Sequence, residues 1–380
     1  MPRILHTADW QLGRHYARFA PEDAALLAEA RFEAVEQIAQ LARQQSADAV
    51  LVAGDVFDMQ GVSERTLRRP FEAMKAFTGP WVLLPGNHDA ALSESVWTRA
   101  RRLDAVPGHV HLATTPSVIE LDKQSLAILP APLTQRHTHN DLTQWFDHAD
   151  TRDGLLRIGL AHGSVQGILQ EQIDSPNPIA PDRADRARLD YLALGDWHGC
   201  REINPRTWYS GTPEQDRFRG NEPGQVLLVE IDHSGATPSV TPHPVGRYQW
   251  QKQQARLAVD TDLEQLITEL ERIQQHQVIE LTLEGQISLQ AQQRLQHALG
   301  QAEARCRVLD IRQEALTLAP TEQDISQLQA DGYVGQTIAE LRHAQENGTE
   351  PDTARHALAI LTSLLADRQT SAATHKGASQ

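Results

Sequence analysis

The sequence predicts an α/β protein of two or three domains, and three observations predict this class. The chain has 380 residues, and domains usually contain about 100–200 residues. Apolar residues make up 40% of the chain and charged residues 22%, a composition that supports a buried core. Short apolar stretches of strand length alternate with longer stretches in which apolar residues recur every three or four positions, which is typical of α/β folds.

Five apolar strands and two helices are predicted, in order, over the first part of the chain. The strands are Arg3–Thr7, Ala49–Ala53, Trp81–Leu84, Arg157–Ala161 and Tyr191–Leu194. Helices are predicted over about Pro21–Gln45 and Ser63–Phe77, the first because its apolar residues recur at helical spacing. The strand Ala49–Ala53 is too short and apolar for a surface helix, so we expect it to be buried.

Each of these five strands ends in a polar cluster. The clusters are Asp9-Trp10-Gln11, Gly54-Asp55-Val56-Phe57-Asp58, Gly86-Asn87-His88-Asp89, His162-Gly163 and Gly195-Asp196-Trp197-His198. Taken singly, such residues also occur in turns or as hydrogen-bonded structural histidines. Because loops at the carboxyl ends of strands converge in α/β sheets, the five clusters together predict one composite site. Asp, Asn and His suit two divalent metal ions about 3.5–4 Å apart, with Asp55 bridging them, for phosphoryl transfer.

The composition excludes several classes of protein. A net charge of −15 argues against holding nucleic acid by bulk positive charge, though not against a nuclease that uses metals and a few arginines. Two cysteines, Cys200 and Cys306, are too few for a disulfide scaffold or a four-cysteine zinc site. Neither a membrane span nor a signal peptide is evident, so we expect a soluble, cytoplasmic protein with no membrane partner.

The pattern changes at about residue 246. The next predicted elements are strand Trp250–Val259, helix Leu263–Gln275, strand Val278–Leu283, helix Ser288–Leu299 and strand Arg307–Arg312. These elements form a small α/β unit, and no acidic or histidine cluster follows its strands. After Pro320 we expect short helices to about Asp367 and then a disordered tail over Gln369–Gln380.

The order of the five clusters resembles that of the calcineurin-like metallophosphoesterases, and most closely the SbcD-type exonucleases of DNA double-strand-break repair. The segments that carry the resemblance are Ile4–Gly13, Ala53–Asp58, Leu84–Asp89, Leu192–His198 and Tyr209–Glu214. It covers residues 1–245 closely. It implies a four-layer α/β sandwich, two mixed β-sheets flanked by helices, over 1–245. It further implies a small α/β capping domain over 246–319, followed by C-terminal helices and the tail over 320–380.

The resemblance also implies roles for individual residues. One metal would be held by Asp9, Gln11, Asp55 and His198. The other would be held by Asp55, Asn87, His162 and Asp196. His88 would contact the scissile phosphate and assist the leaving oxygen, while the carboxylates of Asp58 and Asp89 would orient the histidines or the turn.

Two positions depart from the pattern of this family. Gln11 stands where the family has a histidine, and Asp196 replaces another histidine. Both changes move the site from nitrogen toward oxygen donors, which favours Mn²⁺, with Mg²⁺ as the alternative, over Zn²⁺. They also leave open that the chain is a non-catalytic DNA-binding or regulatory subunit.

The resemblance implies DNA as substrate, with exonuclease and endonuclease action in repair. Arg14 and Arg18 could contact backbone phosphates, or form a solvated surface. Trp10 and Trp197 could stack on bases, or pack beneath the site. A phosphatase or small-nucleotide phosphodiesterase on the same core is the alternative, mildly favoured by the acidic net charge.

The resemblance further implies a coiled-coil, SMC-like ATPase as partner, and a homodimer. The chain itself has no phosphate-binding loop of the type that begins an ATPase domain. We expect the partner to dock on the helices between Thr321 and Asp367, where Leu358, Leu361, Leu364 and Leu365 form an apolar stripe. The alternative is that this stripe packs on its own protein.

Overall fold

The computed structural model describes residues 1–168, 177–319, 321, 324 and 332–377. The chain divides into two compact units, Met1–Gln249 and Trp250–Gln380. The first unit contains two six-stranded sheets, and the second contains a three-stranded sheet with helices. Each unit has its own apolar core.

The first large sheet has four adjacent parallel strands that extend to one of its edges. Its strands are β1 (Arg3–Thr7), β2 (Ala49–Val52), β3 (Trp81–Leu83), β4 (Val110–Leu112), β13 (Gln225–Glu230) and β14 (Ser239–Pro244). Their order is β14-β13-β1-β2-β3-β4. Strands β1 to β4 run parallel, whereas β13 is antiparallel to both of its neighbours. The sheet is therefore mixed, as predicted.

The second large sheet is also mixed, but its four parallel strands are central and an antiparallel strand lies at each edge. Its strands are β5 (Ile119–Leu121), β6 (Leu126–Ala131), β7 (Leu156–His162), β10 (Tyr191–Gly195), β11 (Arg201–Asn204) and β12 (Thr207–Tyr209). Their order is β11-β12-β10-β7-β6-β5, with β12, β10, β7 and β6 parallel. Strands β8 (Ser164–Val165) and β9 (Pro178–Ile179) form a separate two-stranded parallel pair.

Helices flank the two sheets and complete the sandwich. They are α1 (Pro21–Gln44), α2 (Glu64–Met74), α3 (Val96–Arg102) and α4 (Arg183–Arg186), with 3₁₀ helices at Asp122–Gln124 and Leu142–His148. Side chains of α1, α2 and α3 pack on one face of the first sheet. A second apolar layer lies between the sheets, and a third packs α4 on the second sheet. The predicted fold, two mixed sheets flanked by helices, is confirmed.

The helix boundaries follow from local chemistry. Helix α2 begins at Glu64 because the Ser63 hydroxyl accepts a hydrogen bond from the Thr66 amide at 3.1 Å, which caps the helix. Helix α1 buries Leu27 and Ile38, two members of the apolar series that predicted it. Both helices thus place their apolar sides against the first sheet.

The second unit has the predicted alternation of strands and helices. Its elements are β15 (Gln249–Leu257), α5 (Asp260–Glu271), β16 (Gln277–Ile287), α6 (Leu289–Arg305), β17 (Val308–Leu318), α7 (Tyr333–Asn347) and α8 (Pro351–Gly377). Strands β16 and β17 extend well beyond their predicted ends because they pair in parallel from Val278 to Ile287. That pairing includes polar residues which apolar periodicity alone does not detect.

The last helix of the chain enters the segment for which a disordered tail is predicted. Helix α8 continues to Gly377, whereas disorder was expected from Gln369. The residues from Gln369 to Lys376 include neither proline nor glycine, so nothing in them ends a helix. The last three residues of the expected tail lie outside the described part of the chain. None of the helices described is sufficiently long and apolar to cross a membrane.

Candidate metal centre

Strand register brings the predicted clusters to one edge of the sandwich. Thr7 pairs with Val52, and Val52 pairs with Leu83, so the loops after β1, β2 and β3 leave the first sheet side by side. In the second sheet His162 pairs with Gly195, which places the loops after β7 and β10 together. Both sets of loops contribute to one cluster, since His162 contacts residues of the first sheet's loops.

Four site residues have left-handed backbone conformations. The φ angles are 55° at Asp9, 42° at Gln11, 53° at Asp55 and 94° at Asp196. Such values are uncommon outside glycine and concentrate at functional sites. Backbone hydrogen bonds hold the first two loops in register, from Asp9 N to Gly54 O at 3.0 Å and from Gln11 N to Asp55 O at 2.8 Å.

Two glycines create the space that the side chains occupy. A Cβ atom on Gly54 would lie 2.1 Å from Nδ1 of His162, and one on Gly86 would lie 2.2 Å from Oδ1 of Asp55. The Gly-Asp and Gly-Asn-His-Asp motifs therefore need their glycines because the neighbouring side chains approach the backbone too closely for any other residue.

Oxygen and nitrogen donors converge around Nε2 of His162. This atom lies 2.8 Å from Oδ1 of Asn87, 3.6 Å from Oδ1 of Asp196 and 3.7 Å from Oδ1 of Asp55. Donor atoms of Asp9, Asp55 and His162 also lie within 4.8 Å of one another. Oδ2 of Asp196 is buried without a hydrogen-bond partner, which is costly unless a cation or water meets it. This donor set fits a divalent cation.

The electrostatics of these donors also indicate a cation. Burial raises the pKa of Asp196 to about 7 and raises the pKa of Asp9. Burial alone would lower the pKa of His162, but the carboxylates of Asp55, Asp196 and Asp9 raise it to about 9. A bound divalent ion would keep the carboxylates ionised and the imidazole neutral, as metal ligation requires.

Gln11 takes part in the cluster through its amide nitrogen. Nε2 of Gln11 lies 3.3 Å from Nε2 of His198 and 3.5 Å from Oδ2 of Asp55. Its amide oxygen accepts a hydrogen bond from Nη1 of Arg14 at 2.5 Å. The atom expected to ligate a metal, the amide oxygen, therefore points to an arginine.

His198 is held by a residue that the sequence analysis did not single out. Nδ1 of His198 lies 3.1 Å from Oδ2 of Asp216, a carboxylate whose side chain is 1% exposed. Burial opposes ionisation of Asp216, but His198, Arg217 and Arg31 together hold its pKa well below the usual range. The ionised carboxylate contacts Nδ1 and thereby positions the imidazole ring of His198.

His88 lies at the rim of the donor cluster, as expected of a residue that contacts substrate. Its Nδ1 atom lies 2.8 Å from the carbonyl oxygen of Asp58, and its Nε2 atom lies 3.9 Å from Oδ2 of Asp55. Its side chain is 28% exposed. The backbone of Asp58 thus orients His88, whereas the Asp58 carboxylate, 3.9 Å away, lies beyond hydrogen-bond distance.

The buried carboxyl group of Asp89 joins two of the site loops. It lies 2.7 Å from the amide nitrogen of Gly86 and 3.0 Å from that of Phe57. Burial raises the pKa of Asp89 to about 8. Asp89 therefore positions the loop that carries Asn87 and His88.

The predicted substrate-contacting residues divide into two groups. Trp10 is 1% exposed and donates a hydrogen bond to Thr7 at 2.9 Å, which corresponds to the second of its two expected roles, packing beneath the site. Its ring packs in the apolar core because the loop after β1 turns it inward. Arg14 and Trp197 line the cavity over the donor cluster. Arg18 is exposed and lies over the rings of Phe19 and Phe218.

The cavity over the donor cluster has a volume of about 320 Å³. Its wall includes residues that the sequence analysis missed: Arg136, His137, Arg217, Arg219 and Asn221. The last three lie within a few residues after the Tyr209–Glu214 motif, so their position next to that motif could have identified them. No comparable motif marked the loop of Arg136 and His137. Basic side chains thus border an acidic centre, an arrangement suited to an anionic substrate with metals beneath it.

The fold and the site together define the class of protein. It is a metal-binding α/β sandwich of two mixed sheets, with Asp, Asn and His donors at the carboxyl ends of its strands. The model of the calcineurin-like phosphoesterase family matches residues 2–192, which is half of the chain. The chain belongs to this family, and the resemblance read from its motifs is confirmed.

Curated relatives carry the names of a DNA double-strand break repair protein and of a nuclease subunit. The DNA double-strand break repair protein Mre11 of Aeropyrum pernix is 28% identical over 280 residues, which cover 68% of this chain and 64% of that protein. The SbcD component of the nuclease SbcCD of Bacillus subtilis is 26% identical over 265 residues, 60% of this chain and 65% of that protein. The corresponding component of Escherichia coli K12 is 39% identical over 101 residues, 24% and 23% of the two chains. The chain thus spans less than two thirds of each relative.

Proposed function

We propose that this protein is a metal-dependent phosphodiesterase that hydrolyses DNA in repair. The observation that carries the proposal is the donor set of Asp55, Asn87, His162 and Asp196, with its unpartnered Asp196 Oδ2, at the base of a cavity bordered by arginines. A metal centre beneath a basic rim suits an ester whose phosphate is negatively charged.

The chain's own residues bind the phosphate and serve the leaving group. A bound divalent ion would neutralise the phosphate and lower the pKa of a bound water. Arg136, Arg217 and Arg219 contact the phosphates of the substrate on the cavity wall. His88, oriented by the Asp58 carbonyl at 2.8 Å, protonates the leaving oxygen from Nε2 in its imidazolium form.

The donor chemistry supports Mn²⁺ as the ion, with Mg²⁺ as the alternative. Asp55, Asn87 and Asp196 offer oxygen atoms, and His162 is the one nitrogen donor in this set. Hard oxygen ligands suit Mg²⁺ and Mn²⁺, whereas Zn²⁺ prefers nitrogen and sulfur.

DNA is proposed as substrate from the names of the relatives and from the form of the cavity. Arginines on its wall suit backbone phosphates, and Trp197 at its edge could stack on a base. Exonuclease and single-strand endonuclease action are both part of the proposal. The cytoplasmic location and the homodimer stay predictions.

We also propose that a coiled-coil, SMC-like ATPase docks on the second unit. An apolar groove of about 420 Å³ lies there, lined by residues that include Ile287, Leu295, Leu316, Ile360 and Leu364. Leu358 is buried while Ile360 and Leu364 are each 62% exposed, so only part of the predicted stripe is free for a partner. Replacing both exposed residues by serine should weaken ATPase binding and leave the fold intact.

The proposal is tested with metal-free protein and labelled DNA. Linear duplex, linear single strand and a closed single-stranded circle are each incubated with Mn²⁺, Mg²⁺ or Zn²⁺. We expect cleavage with Mn²⁺ that His88→Ala abolishes and His233→Ala does not, because His233 is an exposed histidine outside the cavity. Cutting of the circle would establish endonuclease action.

Two other outcomes would replace the proposal. Turnover of cyclic nucleotides without cleavage of any DNA would make the protein a small-nucleotide phosphodiesterase. DNA binding with no hydrolysis of any ester would make it a non-catalytic subunit, and Gln11 and Asp196 would then explain the loss.

A further inference from the structure

We propose that this chain binds one divalent ion rather than two, and that Arg14 acts through the amide of Gln11 in place of the other ion. The single ion belongs to the donor set of Asp55, Asn87 and His162 with Asp196. This inference rests on the proposed metal-dependent function and deepens it, because it changes which groups neutralise the substrate.

The orientation of the Gln11 amide is the first observation. Its nitrogen faces two acceptors, Nε2 of His198 at 3.3 Å and Oδ2 of Asp55 at 3.5 Å. Its oxygen receives Nη1 of Arg14 at 2.5 Å. An amide side chain that ligates a metal must do so through its oxygen, and here that oxygen accepts a hydrogen bond from Arg14.

Arg14 prevents the amide from turning over. Rotation by 180° would bring Nε2 of Gln11 against Nη1 of Arg14 at the same 2.5 Å, and both groups are donors only. Arg14 is itself held by carboxylates, with Nη1 at 3.3 Å from Oδ2 of Asp216 and 3.7 Å from Oδ1 of Asp58. The guanidinium cannot move aside without leaving the buried Asp216 carboxylate.

The electron pair of His198 is also engaged. Nε2 of His198 lies 3.3 Å from the Gln11 amide nitrogen, which can only donate, so its electron pair faces that amide. Nδ1 of the same ring lies 3.1 Å from Oδ2 of Asp216. Nη2 of Arg217 also lies close to the His198 ring, at 3.0 Å from Nδ1 and 3.3 Å from Nε2. Two guanidinium groups thus stand around the residues that would otherwise hold a second ion.

The charges are consistent with this arrangement. A guanidinium carries a positive charge at every working pH. The hydrogen bond from Arg14 polarises the Gln11 amide, so the amide nitrogen donates more strongly to Asp55 and His198. Oδ2 of Asp55 contacts the Gln11 amide, which is hydrogen-bonded to Arg14, while Oδ1 of Asp55 faces His162. In a two-ion site this position would hold the second metal ion. Here the guanidinium of Arg14 supplies a fixed positive charge in its place.

The experiment counts ions by a method that does not depend on hydrolysis. Metal-free, full-length protein is titrated with MnCl₂ by calorimetry, and the loaded protein is examined by electron paramagnetic resonance. We expect one Mn²⁺ per chain and the six-line signal of an isolated ion. In Gln11→His/Arg14→Ala, which supplies an imidazole and removes the cation, we expect two Mn²⁺ per chain and a spin-coupled signal.

Matched controls locate the ion. Arg68→Ala, which removes a half-buried arginine that is paired with Glu64 and lies outside the cavity, should bind one ion like the wild type. Asn87→Ala should bind none or bind it at least 10-fold more weakly. An ion that is unaffected by Asn87→Ala would overturn the inference, and so would two ions per wild-type chain or a double variant that still binds one.

These results separate the inference from the proposed function. Two ions with DNA cleavage would overturn the inference and support the function. One ion with no hydrolysis of any ester would support the inference and overturn the function. No binding of Mn²⁺ at all would overturn both.

Discussion

Nδ1 of His162 lies 2.8 Å from the carbonyl oxygen of Ala53. The histidine ends a strand of the second sheet and Ala53 follows a strand of the first, so this contact joins the two halves of the sandwich. It also sets the tautomer, because Nδ1 must carry the proton that it donates to the carbonyl. Nε2 is thereby directed at the donor cluster, where it lies 2.8 Å from Oδ1 of Asn87, and the hydrogen bond from Nδ1 supports a metal ligand from outside the cluster.

The close approach of Gly86 to Asp55 predicts the effect of a single methyl group. In Gly86→Ala the new Cβ would lie 2.2 Å from Oδ1 of Asp55, so the carboxylate must move. We expect Mn²⁺ affinity to fall by about 10- to 100-fold, the usual effect of disturbing the support of a ligand. Calorimetric titration measures it. Gly61→Ala, where a Cβ meets nothing within 4 Å, is the control, and equal affinities in the two variants would contradict the assignment.

The position of His88 at the rim predicts that it serves catalysis and not metal binding. His88→Gln should lower kcat by about 100-fold or more, the usual contribution of a general acid. Its affinity for Mn²⁺ should stay within about twofold, because His88 contacts Asp58 and lies outside the donor set. Kinetics on an oligonucleotide and a Mn²⁺ titration of the same preparation test both statements. Loss of the metal together with activity would make His88 a ligand.

The buried carboxylate of Asp216 predicts a large effect on stability. Its side chain is 1% exposed and meets His198, Arg14 and Arg217. Removing one partner of buried ion pairs leaves charges uncompensated, so Asp216→Asn should lower the free energy of unfolding by about 3 kcal/mol. Urea denaturation measures this. Asp232→Asn, at a carboxylate whose side chain is 75% exposed, should change it by less than about 0.5 kcal/mol.

The buried His6 predicts sensitivity to acid. Burial lowers the pKa of His6 from 6.5 to about 3. Between these values the unfolded chain binds a proton that the folded chain does not, so stability is lost as pH falls below 6.5. At pH 5 the loss from this group amounts to about 2 kcal/mol.

A variant without the imidazole isolates this contribution. His6→Met also loses hydrogen bonds to Tyr191 and Leu194, so it should be less stable at pH 7. Its further loss between pH 7 and pH 5 should be smaller than that of the wild type by about 2 kcal/mol. Urea denaturation of metal-free protein at both pH values tests this, and an unchanged pH dependence would show that His6 is not the titrating group.

Much of the architecture could be read from local pattern. The strand Arg3–Thr7 has the predicted bounds, and helix α1 ends within one residue of its prediction. Apolar periodicity reports which side of an element is buried, and it does so without knowledge of distant residues. The outer ends of strands β16 and β17 were not predicted, because polar residues interrupt the apolar ones there and the two strands are held by pairing with each other.

For the site, the sequence by itself determined which residues could serve, since each motif places its carboxylate, amide or imidazole directly after a strand. Asn87 and His162 are 75 residues apart in the chain and 2.8 Å apart in the fold, as convergence at strand ends requires. Only the tertiary structure decided how those groups are used. It turned Trp10 into the core, and it turned the Gln11 amide toward Arg14 because Asp216, far along the chain, holds that arginine. Side-chain orientation depends on such distant charges and contacts, which no local pattern contains.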